Sequence, residues 1–128
     1  MLLGHPPPPQ SVAKARALTR RTLTEWGMIP LLDAAELVVS ELVTNAVRYG
    51  AAPVVLMLGV ISPGALAGSV AAGGPGLPRL PPDEPDLDAT GGRGLAIVRD
   101  LVTRWGVWPD SGGIGRTVWF TLTAENES

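Results

Sequence analysis

Glu41 and Asn45 are the pair in this sequence best suited to chemistry. They lie four residues apart in a segment that reads helical, so they share one face. A carboxylate beside an amide oxygen can hold an oxygen-preferring divalent cation, directly or through water. The same carboxylate can orient or deprotonate a nucleophile. Ser40, Thr44 and Arg48 extend the polar band, and the pattern equally fits a solvated helix face. Three glycine-rich clusters accompany the pair. Gly73-Gly74-Pro75-Gly76 follows a predicted strand, where residues this small either let backbone approach a ligand or make a flexible connector. Gly91-Gly92-Arg93-Gly94 directly precedes a predicted helix. Exposed N–H groups at a helix start, with an arginine nearby, suit phosphate, and a plain glycine-rich helix entry has the same appearance. The cluster is neither a Walker A loop nor a dinucleotide fingerprint, because the lysine is missing and the segment order is wrong for a βαβ unit. Gly112 to Thr117 opens the last predicted strand, where Thr117 offers a hydroxyl for a pocket floor or serves as a hairpin residue.

The elements that must position these residues follow from periodicity. Val12, Ala15, Leu18, Thr19, Leu23 and Trp26 recur at helical spacing from Ser11 to Trp26, and Gly27 ends the run. Asp33 with Glu36 three residues on makes a capping box. The helix it opens runs from Ala34 to Tyr49, with Leu37, Val38, Leu42, Ala46 and Tyr49 as its apolar face and Gly50 as its stop. Pro53 to Gly59 reads as a strand, Ser62-Pro63-Gly64 as a turn, and Leu66 to Ala72 as a weaker strand that completes a hairpin. Gly73 to Thr90 is a loop with five prolines and four acids, long enough to be a ligand lid. Leu95, Val98, Leu101, Val102 and Trp105 return to helical spacing. Val107-Trp108 begins a strand, Pro109 to Gly113 turns, and Arg116 to Thr123 is a strong final strand. The predicted fold class is α+β: a two-layer sandwich with helices on one face of a mostly antiparallel sheet. Residues 1–10 read as a flexible proline-rich arm, 11–123 as the folded domain and 124–128 as a polar tail.

Composition narrows the functions. The 128 residues suit one domain. With no cysteine, disulfides and thiolate metal sites are excluded. A net charge of -2, with charges scattered, argues against a nucleic-acid partner. Met1 to His5 carries neither a basic leader region nor an apolar run of leader length. No stretch supplies the roughly 20 apolar residues a membrane span needs, so the expected location is cytoplasmic, with no membrane partner. The 16 glycines and 13 prolines would warn of disorder in a polar chain, but 45% of residues are hydrophobic, which favours a folded core with long loops.

Taken in order, the segments resemble the histidine-kinase-like (GHKL, or Bergerat) ATPase fold shared by sensor kinases, type II topoisomerases, a heat-shock chaperone family and mismatch-repair ATPases. The nearest likeness is to bacterial anti-sigma-factor serine kinases and their actinobacterial relatives. Glu41-Leu42-Val43-Thr44-Asn45-Ala46-Val47-Arg48-Tyr49-Gly50 looks like that family's N-box. Gly91 to Val98 looks like its second glycine box, and Gly115 to Phe120 like its closing G-x-T strand. The resemblance covers Ser11 to Leu122.

The resemblance implies ATP and Mg²⁺ as cofactors. It implies a regulatory protein that moves the γ-phosphate of ATP to a serine of an anti-anti-sigma partner, with a sigma factor as a second protein partner. A possible homodimer is a further implication. Glu41 would be the catalytic carboxylate and Asn45 would coordinate Mg²⁺. Arg48 would join the cofactor site, Gly74 and Gly76 would line the nucleotide, and Gly92, Arg93 and Gly94 would meet the phosphates. Thr117 would support the adenine end. One position departs from the pattern. The family's first glycine box is D-x-G-x-G, whose aspartate reads the adenine amino group. Here Ala72 stands at that position. Loss of a hydrogen bond to a charged acceptor costs on the order of 1.5–3 kcal/mol, or about tenfold to 150-fold in affinity. The alternative function is therefore a non-catalytic protein-binding regulator on the same fold.

Overall fold

The computed structural model describes residues 8, 10–49, 51–73, 98–109 and 116–124. Helix α1 spans Gln10–Glu25, a 3₁₀ turn spans Ile29–Leu31, and helix α2 spans Leu32–Tyr49. Gly27, at φ 72°, ends α1 in the left-handed conformation that glycine adopts without a side-chain clash. Met28 N–H donates to the Leu23 carbonyl at 2.8 Å and Gly27 N–H to Thr24 at 3.1 Å, the paired bonds of a Schellman cap. Met28 and Leu31 are then buried and carry the chain into α2.

The predicted capping box does not form. The 3₁₀ turn runs straight into α2, so Asp33 already lies inside the helix rather than before it. Glu36 instead reaches across to α1. Arg20 Nη1 donates to Glu36 Oε1 at 2.6 Å, and Arg16 Nε lies 3.5 Å from Glu36 Oε2. These ion pairs clamp the outer edges of the two helices, while Ala15, Thr19 and Leu23 of α1 turn inward. The buried Thr19 hydroxyl donates to the Ala15 carbonyl at 2.8 Å, so it brings no unpaired donor into the core.

The four described strands are β1 (Ala51–Ser62), β2 (Ala65–Gly73), β3 (Arg104–Pro109) and β4 (Arg116–Thr123). They form one antiparallel sheet in the order β1-β2-β4-β3. Gly64, at φ 78°, closes the β1–β2 hairpin. The ladder between these strands slips at Ala51/Val54 and again at Val60/Ser62. Both helices lie on one face, with α1 over β1 and α2 over β2 and its neighbours. The observed architecture is thus the predicted two-layer sandwich. Its core joins Leu23 and Val38 of the helices to Leu66, Val70, Phe120 and Leu122 of the sheet, together with the buried Val98. Gly68 makes room for that core, since a β-carbon there would overlap the Phe120 ring.

Two further expectations need correction, and a third, the strand Leu66 to Ala72, is borne out and extended. Trp105 does not continue a helix. Helical backbone is described for residues 98–101, and β3 starts at Arg104, earlier than Val107. Thr103 N–H already donates to the Thr121 carbonyl, so the β4 ladder captures the chain before another helical turn can form. Leu18, Trp26 and Leu37, placed on apolar helix faces, are exposed, whereas Ala35, Val39 and Val43 take core positions. The weak strand Leu66 to Ala72 is a full nine-residue strand at the centre of the sheet, flanked on both sides. Among the described residues, no helix is long and apolar enough to cross a membrane.

Candidate functional site

Helix α2 places the candidate pair. Each residue advances the helix by about 100°, so a stripe of about 140° contains Ala35, Val38, Val39, Leu42, Val43 and Ala46, all buried. Glu36 borders one side of that stripe and is held by α1 through its two arginines. Glu41 and Asn45 border the other side, away from α1. Both are half-buried, about 6 Å apart along the axis, or roughly one turn. They therefore occupy a shoulder between core and solvent rather than a fully solvated face. Ser40 and Thr44 are half-buried as well, and Arg48 is exposed in the last turn of α2.

Ala72 lies on the same side of the sheet as the helices. It is 7% exposed and belongs to the hydrophobic core. Its cross-strand neighbours are Val54 on β1 and Arg116 on β4. Thr117 is paired with Ala71 and Trp108. Strand residues alternate between faces, so Thr117 points to the side of the sheet away from the helices, opposite Ala72, Glu41 and Asn45. Helix and sheet thus bring Glu41, Asn45 and Ala72 to one side, and leave the Thr117 hydroxyl on the other. Gly74, Gly76, Gly92, Arg93 and Gly94 lie outside the described residues, as do most of the predicted lid and the Gly50 stop.

The donor set suits a hard cation and phosphate at one end. Glu41 and Asn45 supply a carboxylate and an amide oxygen, the ligand chemistry Mg²⁺ takes alongside substrate phosphates and water. At the other end, among the described residues, position 72 offers no matching acceptor, because the buried Ala72 methyl group can accept no hydrogen bond. The described residues contain no group of three or more acidic, histidine or cysteine side chains able to hold a metal without help from a substrate.

A family model for the histidine kinase-like ATPase domain matches residues 6–122. The chain belongs to that family. No curated protein and no solved structure matches it. In this histidine kinase-like ATPase domain the matched span includes α2, all of the sheet but Thr123 and the segments between them, so the geometry above is that of a nucleotide-binding family. Sequence patterns missed two features of the site's surroundings. One is the Arg16–Glu36–Arg20 clamp, whose three charges are visible in the sequence but whose pairing depends on how the helices pack. The other is the Trp108–Trp119 pair on the outer sheet face, with ring centroids 5.8 Å apart. Alternation along β4 was its only signal.

Proposed function

We propose that this domain is an ATP-binding regulator of the anti-sigma-factor type, a cytoplasmic protein serine kinase. It moves the γ-phosphate of ATP to a serine hydroxyl of an anti-anti-sigma partner and holds a sigma factor as its other protein ligand. One observation carries the reading. Within a histidine kinase-like ATPase domain, Glu41 and Asn45 stand one turn apart on the α2 shoulder that α1 leaves open.

In this reading Glu41 receives the proton of the serine hydroxyl. The serine oxygen bonds to the γ-phosphorus as the bond to the departing ADP oxygen breaks. Asn45 would hold Mg²⁺, which when bound offsets the phosphate charge. Arg48 in the following turn adds positive charge to the same site. Gly74 and Gly76 would line the nucleotide, with Gly92, Arg93 and Gly94 around its phosphates. Thr117, facing away, would reach the adenine end only through the backbone of its strand.

The test is transfer of labelled γ-phosphate to an anti-anti-sigma protein. Phosphoserine is expected with the native chain and not with Glu41→Ala. Absence of both transfer and ATP binding would sink the reading.

A second reading has its own support in the buried Ala72. A regulator that grips protein partners without turning over ATP needs no adenine-reading acid. Calorimetric titration of Mg-ATP separates the two. Tight binding by the native chain supports the kinase, and binding seen only in Ala72→Asp supports the non-catalytic regulator.

A further inference from the structure

Helix α1 packs closely on α2 and only lightly on the edge strand β1. A groove of about 380 Å³ opens along that light seam, a volume within the range of small-ligand sites. Ala15 and Val43, 9% and 1% exposed, line its inner side, and Val54 and Leu56 line it from β1. A side chain as small as alanine at position 15 leaves space that a larger core residue would fill. The residues that α1 gives to the groove are Ser11, Lys14, Ala15 and Leu18, spaced i, i+3, i+4 and i+7 on one flank. Arg16 and Arg20, which hold Glu36, lie on the other flank of that helix. On α2, Val43 sits at the edge of the buried stripe away from Glu41 and Asn45. The groove is therefore separate from the candidate nucleotide site.

Along α1 the groove is polar at one end only. Ser11 and Lys14 bring a hydroxyl and an ammonium to the first turns of the helix, and Leu18 stands ~10 Å beyond Ser11. Lys14 is the sole charged side chain lining the groove. Among the described residues it has no ion-pair partner. Its ammonium has donors to offer and no acceptor.

We propose that this groove binds an amphipathic monocarboxylate of medium chain length. The carboxylate meets Ser11 and Lys14, and the apolar chain runs toward Leu18 between Ala15, Val43 and the β1 wall. About eight chain carbons, joined by bonds of ~1.5 Å, cover the ~10 Å between the two ends. Burial of the chain supplies the affinity, and the ammonium selects the head group. A cationic head would meet Lys14 as a like charge. A dicarboxylate would have to set its second charge against the apolar walls, where nothing pairs with it. The inference holds whether or not the domain turns over ATP.

The experiment is calorimetric titration of the full chain with octanoate and with octylamine, both below the concentrations at which they form micelles. The native chain should bind one octanoate with a Kd on the order of 0.1–1 mM. Octylamine should bind about fivefold more weakly or worse. Lys14→Glu should reverse that order and make octylamine the tighter ligand. Leu18→Gln should weaken both ligands by about threefold to tenfold. Both positions are exposed, so far-UV circular dichroism should stay unchanged. No octanoate binding by the native chain overturns the proposal. So does a head-group order that Lys14→Glu leaves as it was, and so does an affinity indifferent to Leu18→Gln, since the ligand would then sit elsewhere. If Lys14→Glu unfolds, Lys14→Met replaces it, with octanoate affinity expected to fall about fivefold and an unchanged affinity counting against the proposal.

Discussion

Gly106 on β3 lies under the indole of Trp119 on β4. A β-carbon built on Gly106 would come within 2.7 Å of three atoms of that ring, among them Nε1. The indole N–H is itself buried and finds no acceptor among the described residues. Among the described residues, packing rather than a hydrogen bond holds the ring in position. Gly106→Ala should lower unfolding free energy by about 1–3 kcal/mol, the usual range for overpacking. A urea titration followed by tryptophan fluorescence would measure it. A midpoint equal to the native one would mean that the ring can turn aside freely.

Glu36 links the helices from outside the core. Its two arginines are about half exposed, so Glu36→Gln should cost no more than about 1 kcal/mol. The difference should shrink in 1 M salt, where the screening length falls to about 3 Å. Melting curves at low and high salt would test both parts.

Ala72→Asp should act in two directions. Placing a carboxylate at a core position should destabilise the nucleotide-free domain by about 1–3 kcal/mol. It should also raise ATP affinity by about tenfold to 150-fold if adenine is read there. Denaturation without nucleotide and calorimetry with Mg-ATP give the two numbers separately. Lost stability with no gain in affinity would place base recognition elsewhere.

Glu41→Gln keeps the shape of the α2 shoulder and removes its charge. Phosphotransfer should drop about 10²- to 10⁴-fold, the span expected for a lost general base, while ATP affinity changes little. Asn45→Ala should show the opposite balance, with weaker Mg²⁺-dependent ATP binding. The pair of variants, assayed for binding and for transfer, separates proton transfer from cation binding.

Much of the fold was legible because its elements carry clean periodic signals. The final strand, Arg116–Thr123, has the predicted bounds because its β-branched and aromatic residues suit no other element. Strand β2 was harder to see. Its sequence is mostly alanine and glycine, and it is a strand because β1 and β4 hydrogen-bond it from both sides, a tertiary effect that local propensity does not report. The spacing from Leu95 to Trp105 looked helical throughout because three- and four-residue steps persist across the junction. Competition from the β4 ladder decides where the helix stops. Asp33 and Glu36 matched a capping signature, but the signature assumes an extended residue before the helix, and Leu31 is already in a helical turn.

For the candidate site, spacing was enough to put Glu41 and Asn45 on one face. It could not say which flank of α2 that face occupied. The flank is set by Glu36, whose arginine partners belong to another helix. Thr117 shows a related limit. Motif order brings it near Ala72 in the chain's layout, but the register pairs it with Ala71, and a shift of one residue in a strand exchanges the faces.

The β1 ladder has a bearing on how the chain behaves in concentrated solution. β1 is twelve residues long and lies at the edge of the sheet, a position from which a strand can recruit others end over end into fibrils. Its register breaks near both ends, and Pro53 beside the first break has no N–H to offer an incoming strand. The opposite edge, β3, is only six residues long and ends at Pro109. Both borders of the described sheet thus carry features that disfavour growth by strand addition.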